Sequence, residues 1–395
     1  MKKICALGIM CVSLFSLNSF GQDDNIDFKD LVGSENALEY SVPFLTIATD
    51  SRAGAMGDVG AATSPDYNSM HWNPAKYAFI ESDMGFAVSY TPWLSKLVDD
   101  INLYNLAFYK RIDQKQTVAA SMQYFDLGSI QFTGTNGENI GQHNPYELSI
   151  DVAYSRALSE KFSGGIAFRY IRSDITGGVA VESGETKPGN AVAADVSFYY
   201  KTDDINLMEK KHTLSVGMNI SNIGTKISYT DVQKDFIPTN LKIGTAFKMN
   251  IDDYNTLTLA LDLNKLLIPT PPVERNDSLY YGYDSDVSVM EGMIQSFYDA
   301  PDGWSEELNE IKYSIGAEYW YANQFAVRAG YFHEHQNKGN RKYFTVGAGV
   351  KLNVFTIDFS YLLPVKQNNP LEGTMRFTIG LDFQAFRNQK KTKIG

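Results

Sequence analysis

The chain has 395 residues, a formal net charge of −11 and a pI near 5.0, which argues against nucleic acid as a partner. Its two cysteines, Cys5 and Cys11, lie near the N-terminus, so the chain beyond them has no disulfide or thiol chemistry. Tyrosine and phenylalanine number 24 and 23 against 4 tryptophans, an aromatic content typical of a sheet embedded in a bilayer.

The first 21 residues are predicted to be a secretory signal peptide. Lys2 and Lys3 precede an apolar run that begins at Ile4 and ends at Leu17, and small residues then stand before a cleavage site after Gly21. The run is shorter than the roughly 20 residues that a membrane-spanning helix needs. We therefore expect an exported protein rather than one with an N-terminal membrane anchor.

Residues 22–83 lack the alternation of a strand. They are predicted to form a periplasmic segment and then a hatch inside the lumen of the barrel that follows, with a disordered leader as the alternative. Residues 51–62 are rich in small side chains, which allow backbones to approach closely, and the Asn-Pro-Ala triplet at 73–75 stops any helix. The predicted hatch motif consists of Arg52, Ala53, Met56, Gly57, Asp58, Asn73, Pro74 and Ala75.

Fourteen segments that alternate between apolar and polar residues follow the hatch. In residues 256–264, for example, Leu259 and Leu261 fall on one face, and Thr258 and Asp262 fall on the other, which is a strand pattern. The predicted strands are 84–91, 101–111, 115–126, 146–157, 161–173, 190–201, 211–221, 239–250, 254–265, 311–321, 324–332, 342–352, 354–362 and 374–386.

The gaps between these strands alternate between short and long, as expected for periplasmic turns and surface loops. A soluble sandwich has the same strand pattern but no reason to sort its loops in this way. The predicted fold is therefore all-β, a 14-stranded antiparallel transmembrane β-barrel over residues 84–386 in the outer membrane. Both termini would be periplasmic, with a basic tail at 387–395.

The face opposite the apolar one would line the lumen, and it carries charges of both signs. An unpaired charge in a narrow barrel is costly, so we expect these groups to pair with one another or with Arg52 and Asp58. A charged lining favours a plugged, structural barrel over a channel for hydrophobic molecules, although a water-filled porin also has a charged lumen. The predicted lumen charges are Arg169, Asp195, Asp262, Glu318, Arg328, Asp358 and Arg376.

The largest predicted loop, 266–310, begins with a rigid proline-rich stretch at 268–272. Further along, apolar residues recur at helical spacing among acidic ones. Two interpretations stay open: a helix that caps the barrel and buries its apolar face, or a helix that presents this face to a partner. The candidate partner-binding residues are Met290, Met293, Ile294 and Phe297.

The sequence predicts no catalytic residues, no cofactor and no metal site. It contains no Gly-x-Ser-x-Gly motif. His333 and His335 are spaced to share a metal on a strand, but no third ligand is evident.

The motifs at 51–62 and 73–75, together with the fourteen strands, resemble the FadL-type outer-membrane family and, within it, the PorV (LptO) family of the type IX secretion system of Bacteroidetes. This resemblance implies a barrel with a luminal hatch in the lipid of the outer membrane. It also implies three partners: the C-terminal signal domain of secreted cargo, the giant translocon barrel and the surface attachment machinery. The alternative is a FadL-type transporter of hydrophobic small molecules.

Overall fold

The computed structural model describes residues 37–133, 136–178, 180–181, 184–207, 209–231, 233–275, 278–366 and 369–383. The predicted signal peptide, the first part of the predicted segment 22–83 and the predicted tail 387–395 lie outside these residues.

The described residues form a closed barrel of fourteen antiparallel strands, as the sequence predicts. Each strand pairs with the next along the chain, and the last pairs with the first through contacts such as Phe86 with Leu381. The strands are β1 Met84–Pro92, β2 Asn102–Arg111, β3 Gln116–Asp126, β4 Tyr146–Ala157, β5 Phe162–Asp174, β6 Gly189–Leu207, β7 Lys210–Gly224, β8 Asn240–Asn250, β9 Asn255–Leu266, β10 Lys312–Tyr321, β11 Phe325–His333, β12 Lys342–Leu352, β13 Phe355–Pro364 and β14 Met375–Asp382.

The apolar face of each strand points outward, and the polar face points into the barrel. On β9, Leu259 and Leu261 are exposed, while Thr258 and Asp262 are buried. A sandwich would bury the leucines, so this orientation identifies a lipid-facing barrel and excludes the soluble alternative. Neighbouring outward tyrosines on β1 and β2, Tyr90 and Tyr104, lie with ring centroids 5.4 Å apart, a position that suits an interfacial aromatic girdle.

Short elements in the connections complete the architecture. None of the helices among the described residues has the length and hydropathy to cross a membrane. The short helices are Pro43–Thr46, Ser51–Gly54, Ser69–Trp72, Pro74–Phe79, Val289–Gln295, Trp304–Asn309 and Gln336–Lys338. Three small hairpins pair Ile130–Thr133 with Asn139–His143, Ala180–Val181 with Gly184–Glu185, and Val273–Arg275 with Ser278–Tyr281.

The structure differs from the sequence-based strands mainly at β6 and β7. Both continue into the predicted gap 202–210, so that β6 ends at Leu207 and β7 begins at Lys210. The extension contains polar residues on both faces, which removes the alternation that marks a strand. Hydrogen bonds such as Thr213 Oγ1 to Asp203, at 2.6 Å, stabilise it instead.

Residues 43–80, which we call the luminal segment, fill the barrel. Its apolar side chains, such as Phe44 and Met56, are fully buried. Gly57 adopts φ +69°, and a Cβ atom there would lie 2.6 Å from the backbone nitrogen of Tyr331. A Cβ atom on Gly330 of β11 would lie 2.1 Å from the backbone nitrogen of Gly57. The luminal segment therefore touches the wall backbone to backbone, which only glycine permits.

We expect Gly330→Val to displace the luminal segment from the wall while the barrel still assembles, because the strand backbone itself can accept valine. Limited proteolysis should then cut within residues 43–80 much faster than in the unchanged protein. The matched control is Gly164→Val on β5, where the nearest atom to a new Cβ lies 3.6 Å away. Equal cleavage rates in both variants would contradict the close approach.

Candidate functional site

Two short turns in the luminal segment are capped by side chains. Asp50 accepts a hydrogen bond from the Ala53 backbone at 2.9 Å and a second from the Trp72 indole at 2.7 Å. Asn73 accepts from the Ala75 backbone at 3.0 Å, and Pro74 opens the 3-10 turn that follows. A side-chain cap and an initial proline both favour helical turns. These interactions explain why the Asn-Pro-Ala triplet ends one turn and starts the next.

Polar strand residues hold the backbone of the luminal segment from all sides of the barrel. Asp262 on β9 makes two of these contacts: its carboxylate accepts from the backbone of Gly60 at 2.8 Å and of Ala61 at 2.9 Å. Further contacts of 3.0 Å or less come from Thr117 on β3, Ser197 on β6, Thr345 on β12 and Thr378 on β14. Short polar side chains thus replace the water that would otherwise fill the lumen.

A chain of five charged groups joins the luminal segment to three strands. Arg52 donates to both carboxylate oxygens of Glu318, at 2.9 and 2.8 Å, and to Asp66 at 2.9 Å. Glu318 also accepts from Arg328 at 2.7 Å, and Arg328 donates to Asp358 at 2.6 Å. Positive and negative groups alternate along the chain, so each buried charge has an opposite neighbour.

The other predicted lumen charges, except Asp262, are paired as well. Arg169 donates to Asp151, and its Nη2 lies 3.4 Å from Asp195. Arg376 lies 4.0 Å from Asp58, which accepts a hydrogen bond from the Tyr343 hydroxyl at 2.6 Å. Of the predicted lumen charges only Asp262 has no ion pair among the described residues; it accepts the two backbone hydrogen bonds of Gly60 and Ala61 instead.

Three charged groups of the luminal segment were not singled out from the sequence: Asp50, Asp66 and Lys76. The Lys76 side chain is completely buried, and its ammonium donates to the Gly60 carbonyl at 2.8 Å and to Thr63 at 3.1 Å. The only sequence signal for these three residues is their charge, in a segment that otherwise consists mostly of small and apolar side chains. Such a residue must find its partner within the lumen.

No cluster of three or more potential metal-binding side chains occurs in the part of the chain that the structure describes. His333 contacts the Tyr331 hydroxyl at 3.2 Å, and His335 accepts from the Asn337 backbone at 3.3 Å. The second contact caps the turn Gln336–Lys338, which gives His335 a structural role.

Buried ion pairs anchor the large loop to the barrel. Lys265, at the end of β9, contacts Glu307 at 3.0 Å and Glu310 at 2.6 Å. Lys338, from the loop after β11, contacts Glu306 at 2.5 Å and Glu310 at 3.0 Å. The second helix of the loop, Trp304–Asn309, therefore lies between two lysines, one at the end of β9 and one in the connection between β11 and β12. This clamp fixes the base of the loop.

Asp299 belongs to the same base. It accepts a hydrogen bond from the Thr270 backbone at 3.0 Å, and Thr270 in turn donates its hydroxyl to Glu310 at 2.8 Å. Burial raises the pKa of Asp299 to about 6; the hydrogen bonds from Thr270 oppose this rise, whereas Glu310 and Glu307 add to it. At neutral pH the loop base therefore holds a carboxylate that its surroundings disfavour.

The helix Val289–Gln295 exposes its apolar face and buries its polar side. Met290 is 62% exposed and Ile294 is 63% exposed, and Phe297 is also exposed, whereas Met293 is half-buried. Gly292 faces inward, where an added Cβ would lie 2.9 Å from Pro269 of the proline-rich stretch. The helix thus does not cap the barrel with a buried apolar face.

Other exposed apolar residues of the same loop extend this surface. Trp304 is 76% exposed, and Tyr283 packs edge-on against Tyr298 with ring centroids 5.6 Å apart. We call the exposed residues of this loop the apolar loop surface. Its members are Tyr283, Met290, Ile294, Phe297, Tyr298, Trp304 and Leu308.

Comparison with known proteins gives one family. The protein-family model described as "Type IX secretion system protein PorV" matches residues 32–273, which is more than half of the chain. A comparison with curated protein sequences finds no match.

Several solved structures are similar in fold. The Ralstonia pickettii toluene transporter TbuX is 12% identical, with 86% of this chain and 98% of that chain covered and a TM-score of 0.46. The Pseudomonas putida toluene transporter TodX is 12% identical, with coverage of 88% and 98% and a TM-score of 0.48. A Pseudomonas aeruginosa FadL homologue is 11% identical, with coverage of 85% and 99% and a TM-score of 0.43. At these identities the likeness concerns the fold alone.

Removing Arg52 should destabilise the barrel strongly. Arg52→Met leaves Asp66 and one side of Glu318 without their buried partner, a change that costs about 3–5 kcal/mol. The measurement is the urea midpoint of unfolding in lipid vesicles. Arg156→Met is the matched control, because Arg156 is an exposed arginine on β4 and surface pairs contribute about 1 kcal/mol or less. Equal midpoints for the two variants would rule out the charge chain as a stabilising element.

The loop base should be more stable at pH 5 than at pH 7.5. Because the folded-state pKa of Asp299 is raised to about 6, the folded loop binds a proton that the open loop has already released. Stability is therefore lost as the pH rises through about 4 to 6. We expect hydrogen exchange of residues 289–310, corrected for the intrinsic effect of pH, to be slower at pH 5. Asp299→Asn keeps an acceptor for Thr270 and should abolish this difference; a difference of the same size in the variant would exclude Asp299 as its source.

Proposed function

The chain belongs to the PorV family of type IX secretion system proteins, and we propose that it is the non-enzymatic outer-membrane subunit that receives secreted cargo. In this role it binds the C-terminal signal domain of the cargo, docks on the giant translocon barrel and hands the cargo to the surface attachment machinery. We propose the orientation that the sequence predicts, with the short turns and both termini in the periplasm and the long loops at the cell surface.

The apolar loop surface is the observation that carries this proposal. Soluble surfaces rarely keep several large apolar side chains together in contact with water, and such patches usually mark interaction sites. On this helix Gly292 and Gln295 occupy the buried side, and Met290 and Ile294 occupy the exposed side. The clamp of Lys265 and Lys338 holds this surface in place before any partner arrives.

The chemistry next to the apolar loop surface indicates what a partner should offer. A groove of about 640 Å³ beside the start of the helix is lined by Lys187, Lys226 and Lys234, together with Val287 and Val289. Lys187 and Lys226 already pair with the exposed carboxylates of Asp231 and Asp286, which a partner's carboxylates would have to displace, and Lys234 is exposed. A partner segment that combines apolar side chains with carboxylates would complement both the apolar and the positively charged groups of the groove.

The alternative, a transporter of hydrophobic small molecules, fits the lumen poorly. Pockets for such ligands usually measure about 300–1,000 Å³ and are mostly apolar. The cavity between the luminal segment and β7–β12 has a volume of about 70 Å³, and its lining includes Asp58, Arg169, Lys242 and Arg341. A passage for an apolar molecule would require the luminal segment to leave and to break the charge pairs that hold it.

Replacing the apolar loop surface should separate assembly of the barrel from secretion. We expect the variant Met290→Ser, Ile294→Ser, Phe297→Ser to fold, because these side chains are exposed or lie at the edge of the loop. Recovery of the translocon or of cargo with the purified protein should fall at least about tenfold, since the loss of one good apolar anchor costs about 2 kcal/mol. The measurement is quantitative mass spectrometry of proteins that co-purify from native outer membrane in mild detergent.

The matched control is Leu97→Ser, Val98→Ser, which removes two exposed apolar residues from another long loop. Loss of the translocon would assign the apolar loop surface to docking, and loss of cargo with retention of the translocon would assign it to cargo binding. Unchanged recovery of both, with secretion intact, would refute the proposal for this surface. A purified barrel that carries only lipids, without any mutation, would instead favour the transporter alternative.

A further inference from the structure

The cavity of about 70 Å³ inside the barrel has a lining that is unusual for a plugged lumen. It lies toward the end of the barrel with the long loops, between the luminal segment and strands β7 to β12. Four positively charged side chains line it, Arg169, Lys242, Lys312 and Arg341, against one negatively charged side chain, Asp58. The space exceeds that of a single water molecule several times, since one water needs about 10–15 Å³.

The four positive groups differ in how directly carboxylates contact them. Arg169 is balanced by Asp151 and Asp195, as described above. Lys312 and Arg341, in contrast, share the single carboxylate of Glu334, with contacts of 3.0 and 2.7 Å. Two positive groups therefore face one negative group at the wall of the cavity.

Lys242 on β8 has neither an ion pair nor a hydrogen bond to any of the residues that the structure describes. Its ammonium instead lies 4.0 Å from the centroid of the Trp72 ring, a cation–π contact that does not neutralise the charge. The side chain is half-buried, and its charged end borders the cavity. The carboxylates of Asp262 and Asp58 attract this ammonium, but among the described residues no carboxylate lies within ion-pair distance of it. The ammonium can therefore accept an anion as a direct contact.

We propose that this cavity is a binding site for an oxyanion, a carboxylate or a phosphate, with Lys242 as its principal charged contact. The side-chain amides of Asn240 and Asn264 also line the cavity and can donate hydrogen bonds to the oxygens of such a ligand. Arg341 stands at the entrance, because it lies at the long-loop end with its side chain 32% exposed. The ligand therefore enters from the side of the long loops.

The inference is independent of the proposed function, since it concerns the lumen and not the apolar loop surface. Two sources of the oxyanion share this chemistry: the free carboxylate at the end of a peptide, and a phosphate, either inorganic or on a lipid headgroup. The lining of the cavity indicates that the bound group is an oxyanion, and the experiment distinguishes a peptide carboxylate from a phosphate.

Trp72 provides the probe, because an anion that attracts Lys242 changes the contact between the ammonium and the indole. The protein contains three other tryptophans, Trp93, Trp304 and Trp320, which are replaced by phenylalanine in the full chain. Fluorescence is titrated at constant ionic strength with inorganic phosphate, with a short peptide acid, with the same peptide as its amide and with dihexanoyl phosphatidate. Chloride is the reference.

We expect a saturable change with at least one oxyanion and none with the peptide amide or chloride. Lys242→Met should weaken the apparent affinity about tenfold or more, as expected for a lost hydrogen bond between charged groups. Lys242→Arg should keep binding. The matched control is Lys248→Met, which changes a lysine on the same face of β8, about 20 Å nearer the short turns.

Saturation with the peptide acid alone assigns the site to a chain terminus, and saturation with phosphate or phosphatidate assigns it to a phosphate source. Two results would overturn the proposal: responses to every oxyanion that match the response to chloride, or an affinity of Lys242→Met equal to that of the unchanged protein. Retention of the heat-resistant barrel band on gels verifies that each variant is folded.

Discussion

The contact between the Arg52 guanidinium and the Glu318 carboxylate constrains the whole lumen. Both groups are shielded from water, so each charge needs the other to neutralise it. Glu318 also pairs with Arg328, and Arg328 pairs with Asp358. Because Arg52 belongs to the luminal segment and the other three belong to strands, a closed barrel without the segment would contain buried acids and bases in the wrong proportion. The segment and the wall therefore form one structural unit, in which an empty, water-free lumen has no stable arrangement.

Because the luminal segment fills the barrel, other molecules can contact the protein most readily at the end that carries the long loops. The large loop uses charge pairing as the lumen does: Lys265 and Lys338 contact the acids of its second helix, beside the buried apolar residues Ile268 and Ala300. The apolar side chains that a soluble domain would place inside are consequently free to face outward at Met290 and Ile294. The barrel wall and the large loop therefore share one arrangement: charged groups pair on the inner side, and apolar side chains face outward.

The barrel was predictable because period-2 alternation and loop length are properties of the sequence alone. Strand β4 has the predicted bounds, whereas the end of β6 at Leu207 was not predictable, because outside the bilayer both faces of a strand can be polar. The same alternation predicted which charged residues face inward, but it could not predict which residue each of them pairs with. Which base meets Glu318 depends on the fold of the luminal segment, and that fold rests on backbone hydrogen bonds and on close approaches at Gly330 that leave no periodic trace.

The luminal cavity and the base of the large loop share one short connection, the residues between β11 and β12. Arg341 in this connection lines the cavity with Lys312, and Glu334 pairs with both. Lys338, between Glu334 and Arg341 in sequence, contacts Glu306 of the large loop. An anion that competes with Glu334 for Lys312 and Arg341 would act on the same connection that anchors the loop. Because coupling free energies are reciprocal, if the bound anion weakens the anchoring of the loop by some factor, release of the loop strengthens anion binding by the same factor.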